Sequence, residues 1–178
     1  MLMHLRAYIA MDVIGLAQRV ADHAAAIKPI AEAAAAQELV KPGEAADGGG
    51  RMMDDPDFRR KLAELQIKVD ALNATELRMF AARTAGQAMG ASSSMLKLEG
   101  SQAQQAVTEL ALEAAGVYAQ PFVQDTWAEI EGRTNTARAG PDYAATVAPH
   151  YFNYRKTSIY AGSNEIQHNI MAKMVLGL

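Results

Sequence analysis

Arg155-Lys156-Thr157-Ser158-Ile159-Tyr160-Ala161-Gly162-Ser163-Asn164-Glu165-Ile166-Gln167 is the stretch around which the chain is organised. An apolar pair, a small pair and a capping residue lead into a pattern in which Ile166, Ile170 and Met174 fall four apart, the spacing of one helix face. Ser163 is placed to cap the first turn, and Glu165 to complement the positive end of the helix dipole. Gly162 has no Cβ to keep a ligand from the backbone. The N–H groups at such a helix start suit a phosphate or pyrophosphate. Gly-Ser before a helix is common, so this spacing by itself is a weak signal.

Upstream of this stretch the chain reads as helices. Leu5, Ile9, Val13, Leu16, Val20 and Ile27 step by three or four with Arg6, Asp12, Arg19 and Asp22 between them, which predicts a long amphipathic helix over 1–39 with Pro29 as a weak point. Pro42-Gly43 and Gly48-Gly49-Gly50 predict a flexible linker over 40–53. Asp54-Asp55-Pro56-Asp57 is a helix start, with an acid to cap and a proline for the first turn. Phe58, Leu62, Leu65, Val69, Leu72 and Met79 then form a seam that Glu76 joins, and a neighbouring arginine is its expected partner.

Gly86 to Ala91 is a break, and Ser92-Ser93-Ser94 offers caps for a third helix with Leu96, Gly100, Ala103, Val107, Leu110, Ala114 and Val117 as its seam. Pro121 to Pro141 reads as a surface loop with a short helical piece at Trp127 to Glu131. No strand is expected. The predicted class is all-α, an up-and-down arrangement like a four-helix bundle over 54–178.

Composition narrows the chemistry. The chain has 178 residues, half of them apolar, a formal charge of −3 and a pI near 5.8. Such a chain can bury a core, and its mild acidity, with no run of basic residues, argues against nucleic acid as a partner. The absence of cysteine excludes disulfides, thiolate-bound metals and thiol catalysis, and fits a cytoplasmic protein. His4, His23, His150 and His168 show no zinc-site spacing. Nucleotide-loop and nucleophile-elbow motifs are missing. Neither a signal peptide nor an apolar run long enough to span a membrane is expected.

Taken as a whole, the thirteen-residue string from Arg155 to Gln167 resembles the C-terminal signature of the acyl-CoA dehydrogenase family, in the variant with a small residue after the Ile-Tyr pair. Met95-Leu96-Lys97-Leu98, followed by Gly100-Ser101, resembles the start of the corresponding family helix. Gly140-Pro141-Asp142-Tyr143-Ala144-Ala145 is also similar to the family's sequence. The resemblance covers roughly Asp54 to Leu178. It implies a C-terminal helical domain that packs on a β-domain, FAD between the two, and a neighbouring subunit completing the cofactor site in a homo- or hetero-oligomer. The implied reaction removes one hydrogen of an acyl-CoA thioester as a proton and another as a hydride to FAD.

Carried over by position, Gly162, Ser163, Asn164, Glu165 and Gln167 are the expected cofactor contacts, and Tyr160 is expected beside the acyl group. Where many members carry the glutamate that takes the α-proton, this chain has Ala161, which cannot act as a base. Other branches place the base on the first helix of the domain, where Asp12 and Asp22 are the acids present, and neither is assigned. Two cofactor motifs of the family are missing or replaced, one of them by Leu112-Glu113-Ala114-Ala115-Gly116-Val117-Tyr118. The implied whole enzyme also has two further domains. The expectation is therefore a portion or small subunit of an FAD-dependent acyl-CoA dehydrogenase, inactive alone. The alternative is a non-catalytic helical module that stabilises a full-length partner.

Overall fold

The computed structural model describes residues 25–35, 51–88, 90–121, 140–141 and 143–178. These carry five α-helices: α1 over 25–35, α2 Pro56–Thr84, α3 Ser92–Ala115, α4 Ala144–Tyr154 and α5 Asn164–Met171. Among the described residues there is no β-strand, and the class is all-α. Most of the predicted long first helix and linker, the loop piece at Trp127 to Glu131, and the acids Asp12 and Asp22 lie outside the described residues, as do His4 and His23. The chain divides into two compact units. One holds Met1–Ala26, Leu65–Gln104 and Lys156–Leu178, the other Ile27–Glu64 and Gln105–Arg155.

α2 begins where the acids and proline predict. The Asp55 carboxylate accepts from the amide of Asp57 at 2.9 Å, the Asp55 carbonyl accepts from Arg59 at 3.1 Å, and Pro56 takes the first helical position, where its missing N–H costs nothing. The last residues before it, Met52–Asp54, form a short 3-10 turn closed by the Asp54 carboxylate on the Arg51 amide. At its far end the amide of Gln87 reaches the Ala82 carbonyl and that of Gly86 the Arg83 carbonyl, with Gly86 at φ +78. That pair of bonds closes a helix C-terminus through a left-handed glycine.

In the first unit the α2 seam is buried at Leu65, Val69, Leu72, Glu76 and Met79, and the α3 seam at Leu96, Gly100 and Ala103. Among the described residues no arginine pairs with Glu76, contrary to the expectation. Its Oε1 is out of solvent with no hydrogen bond, and burial pushes its carboxyl pKa upward. In the second unit Ile27, Ile30, Ala34, Phe58, Val107, Leu110 and Ala114 are buried. Ala115, Ala144 and Val147 form a cluster there with Ala111, Leu112, Ala119 and Tyr143 against it. Val117 departs from the predicted seam. α3 stops at Ala115 and Gly116 takes φ +54, so the following 3-10 turn carries Val117 out to solvent.

Candidate functional site

The signature segment is built in three steps. A 3-10 turn over Arg155–Ser158 follows α4 directly, and Thr157 is its anchor, 1 % exposed, with its hydroxyl directed at the Ser101 carbonyl at 3.5 Å. The amides of Ile159 and Tyr160 both return to the Lys156 carbonyl, at 2.9 and 3.4 Å. Ala161 at φ +56 and Gly162 at φ +81 then place two successive residues in the left-handed region, which reverses the chain. Glycine takes that conformation without penalty, whereas the alanine is held in it. At the preceding step Arg155 is tied down within its own unit: its guanidinium donates to the Gln105 carbonyl at 2.7 Å and the Thr108 hydroxyl at 2.9 Å, and sits 4.2 Å over the Tyr151 ring.

Ser163 caps α5 as the sequence predicts, with extended backbone and its hydroxyl accepting from Ile166 N at a long 3.5 Å, while its carbonyl accepts from Gln167 N at 3.0 Å. Glu165 stands exposed in the first turn. Its carboxyl is held below the usual range first by a hydrogen bond from Ser163, then by its own backbone amide and, more weakly, by the charges of His168 and Lys97. Gln167 folds back so that its side-chain amide donates to the Ala161 carbonyl at 3.4 Å.

Asn164 faces the other way. Its Oδ1 accepts from Lys97 Nζ at 2.6 Å and lies 3.1 Å from the Ser101 hydroxyl, so α3 holds the first residue of α5. Gly162 is exposed, and so are Ile159 and Tyr160. The structure therefore brings Tyr160, Gly162, Ser163, Glu165 and Gln167 into one loop and helix start. The oxygen of the Asn164 side chain is spent on α3. Lys97 and Ser101 were missed by the sequence reading as members of this site, although they stand in the motif Met95 to Ser101 quoted for other reasons.

The acyl-CoA dehydrogenase C-terminal domain family matches residues 1–176. The chain belongs to the acyl-CoA dehydrogenase family. No curated relative matches it. Among solved structures it is similar to the FAD complex of PigA, at 19% identity and a TM-score of 0.65 over 90% of this chain. Butyryl-CoA dehydrogenase from Megasphaera elsdenii matches at 20% and 0.63 over 92%, and the ChsE4-ChsE5 complex from Mycobacterium tuberculosis at 20% and 0.64 over 89%. At such identities the likeness is one of fold. The chain spans 34–36% of the length of these neighbours.

The residue between Tyr160 and Gly162 on this loop is Ala161, whose side chain can neither give nor take a proton. Glu76 is the buried acid among the described residues. No cluster of potential metal ligands is present among the described residues, and none of their helices is long and apolar enough to cross a membrane.

Proposed function

We propose that the chain is the C-terminal portion, or a small subunit, of an FAD-dependent acyl-CoA dehydrogenase that desaturates an acyl-CoA thioester, and that it is inactive alone. The observation that carries this reading is the loop itself: an exposed left-handed reversal at Ala161 and Gly162 that opens directly into the Ser163-capped start of α5. An exposed helix start of this kind suits an anionic group, which the packing reading does not require. These residues fit one wall of an FAD site. Gly162 and Ser163 would give close backbone approach, Gln167 a side-chain amide, and Glu165 a contact for polar parts of the cofactor, while Asn164 fixes the helix start. Tyr160, exposed beside the reversal, would lie along the acyl group. When bound, FAD supplies the hydride acceptor. Ala161 contributes no proton acceptor, so that group and the remaining walls belong to other segments or to other chains. A homo- or hetero-oligomer follows, in the cytoplasm, with acyl-CoA as substrate.

The second reading, a silent helical module that stabilises a full-length dehydrogenase, is favoured by Ala161. Ser163→Asp separates the two. Aspartate caps a helix as well as serine does; it gives up the bond to Glu165, and it adds a negative charge where the cofactor's phosphates would approach. With residues 54–178 grafted onto the remaining domains of a related dehydrogenase, this variant is expected to lose FAD at unchanged helicity. Unchanged flavin retention would pass the chain to the interaction-module reading.

A further inference from the structure

Lys97 sits on α3 between two buried leucines, Leu96 and Leu98, and its stem runs out of that core to a half-buried ammonium. The ammonium is 2.6 Å from Asn164 Oδ1 and 3.4 Å from the carbonyl of Ser158. Ser158 closes the 3-10 turn before the loop and Asn164 opens the helix after it. We propose that Lys97 is the positioning residue of the signature loop, a single charged donor on α3 that fixes both ends of the segment Ile159 to Ser163.

Proton counting favours the lysine over its neighbour. The Ser101 hydroxyl has one proton and lies 2.8 Å from the Leu98 carbonyl and 3.1 Å from Asn164, so it serves one of them at a time. Lys97 carries three protons and can serve Ser158 and Asn164 together, and a bond from a charged donor is the stronger kind. Its charge also adds to the positive end of α5, where the low carboxyl pKa of Glu165 already registers it as a minor cause. The shaping of the loop stands on the geometry alone, and only its service to a cofactor rests on the function proposed above.

Lys97→Met keeps the apolar stem and removes the ammonium, so it separates packing from the hydrogen bonds. In the full chain, amide hydrogen exchange at Ile166 and Gln167 should accelerate by about tenfold or more, as expected for loss of a charged hydrogen bond, while the amides of 65–84 in α2 stay unchanged. Asn164→Ala, made from the α5 side of the contact, should accelerate the same two amides. The double variant should be clearly less than additive, because the Lys97–Asn164 bond is lost in both single variants, Lys97→Met losing Ser158 besides and Asn164→Ala losing Ser101. Unchanged exchange in Asn164→Ala, or additive effects in the double variant, would overturn the assignment. Exchange is read without flavin. A failure of Ser163→Asp to release FAD therefore leaves the role of Lys97 standing, and unchanged exchange leaves the cofactor reading standing.

Discussion

Gln167 and Gly162 compete for one space: a Cβ built on Gly162 would lie 2.7 Å from Gln167 Nε2, the nitrogen that donates to the Ala161 carbonyl. Glycine at 162 is therefore favoured by its φ of +81, while the folded-back glutamine end would have to shift to admit a side chain. Gly162→Ala should destabilise the chain by about 1–2 kcal/mol from the left-handed backbone alone. Adding Gln167→Ala should recover only the steric share, since the glutamine end is flexible. Denaturant midpoints of the two single variants and the double variant check this, and a Gly162→Ala loss within about 0.5 kcal/mol of zero, as at an ordinary surface site, would contradict it. Substitutions at Gly162 consequently report on folding as well as on any ligand.

Ala161 offers the opposite change. At φ +56 it is the non-glycine residue with positive φ among those described. Ala161→Gly removes a penalty of about 1–2 kcal/mol and adds about 0.5–1 kcal/mol of backbone entropy cost, so a net gain of about 0–1.5 kcal/mol is expected. A thermal melt showing a lower midpoint for the variant would refute it.

Much of this site was legible because its determinants are local. Ser163 caps its own helix, Asp55 and Pro56 start theirs, and Gly86 ends α2, each within a few residues of the bond it makes. The periodic seam of α2 marks its buried face for the same reason. Lys97 and Asn164 are 67 residues apart, and no periodicity encodes a bond that tertiary packing creates. That no described arginine pairs with Glu76 was equally hidden. Its place on the seam says it is buried, but whether an arginine reaches it depends on how neighbouring helices are set. Val117 was misread because the seam was extended through Gly116, whose positive φ ends the regular helix.

The C-terminal stripe predicts association. Ile166, Ile170 and Met174 keep their spacing of four along α5 and the short π-helix Ala172–Leu176 that follows it, and all three are exposed, as are Val175, Leu176 and Leu178. Contiguous apolar surface of this kind is uncommon on monomers. Light scattering should give a mass above the 19.1 kDa of one chain. Ile170→Asp should shift the distribution towards the monomer, and a clean monomer of the unaltered chain would argue against the prediction.

Catalysis by the chain alone is not expected, because Ala161 cannot accept a proton. Mixed with FAD and a series of acyl-CoA thioesters in a stopped-flow instrument, it should fail to bleach flavin at about 1 s⁻¹ or faster, the lower end of ordinary enzyme turnover. Bleaching at that rate would mean that another acid of this chain takes the proton.

Glu76 gives the chain a pH dependence whose sign is fixed by burial. Its carboxyl pKa in the folded state lies above the ordinary glutamate value of 4.5, because the charged form loses water and gains no hydrogen bond at Oε1. Between the ordinary and the raised value the folded chain holds a proton that the unfolded chain has released. Stability from this group is thus fully present below the ordinary value and falls as pH rises towards the raised one. Glu76→Gln cannot titrate and should lose that part of the slope. Glu76→Met removes the polar group at similar volume and should stabilise the chain at neutral pH by about 1–3 kcal/mol. Denaturant unfolding of the three proteins at a series of pH values decides the matter. Parallel pH profiles, or a Glu76→Met variant less stable at neutral pH, would show that the carboxylate is held by a partner after all.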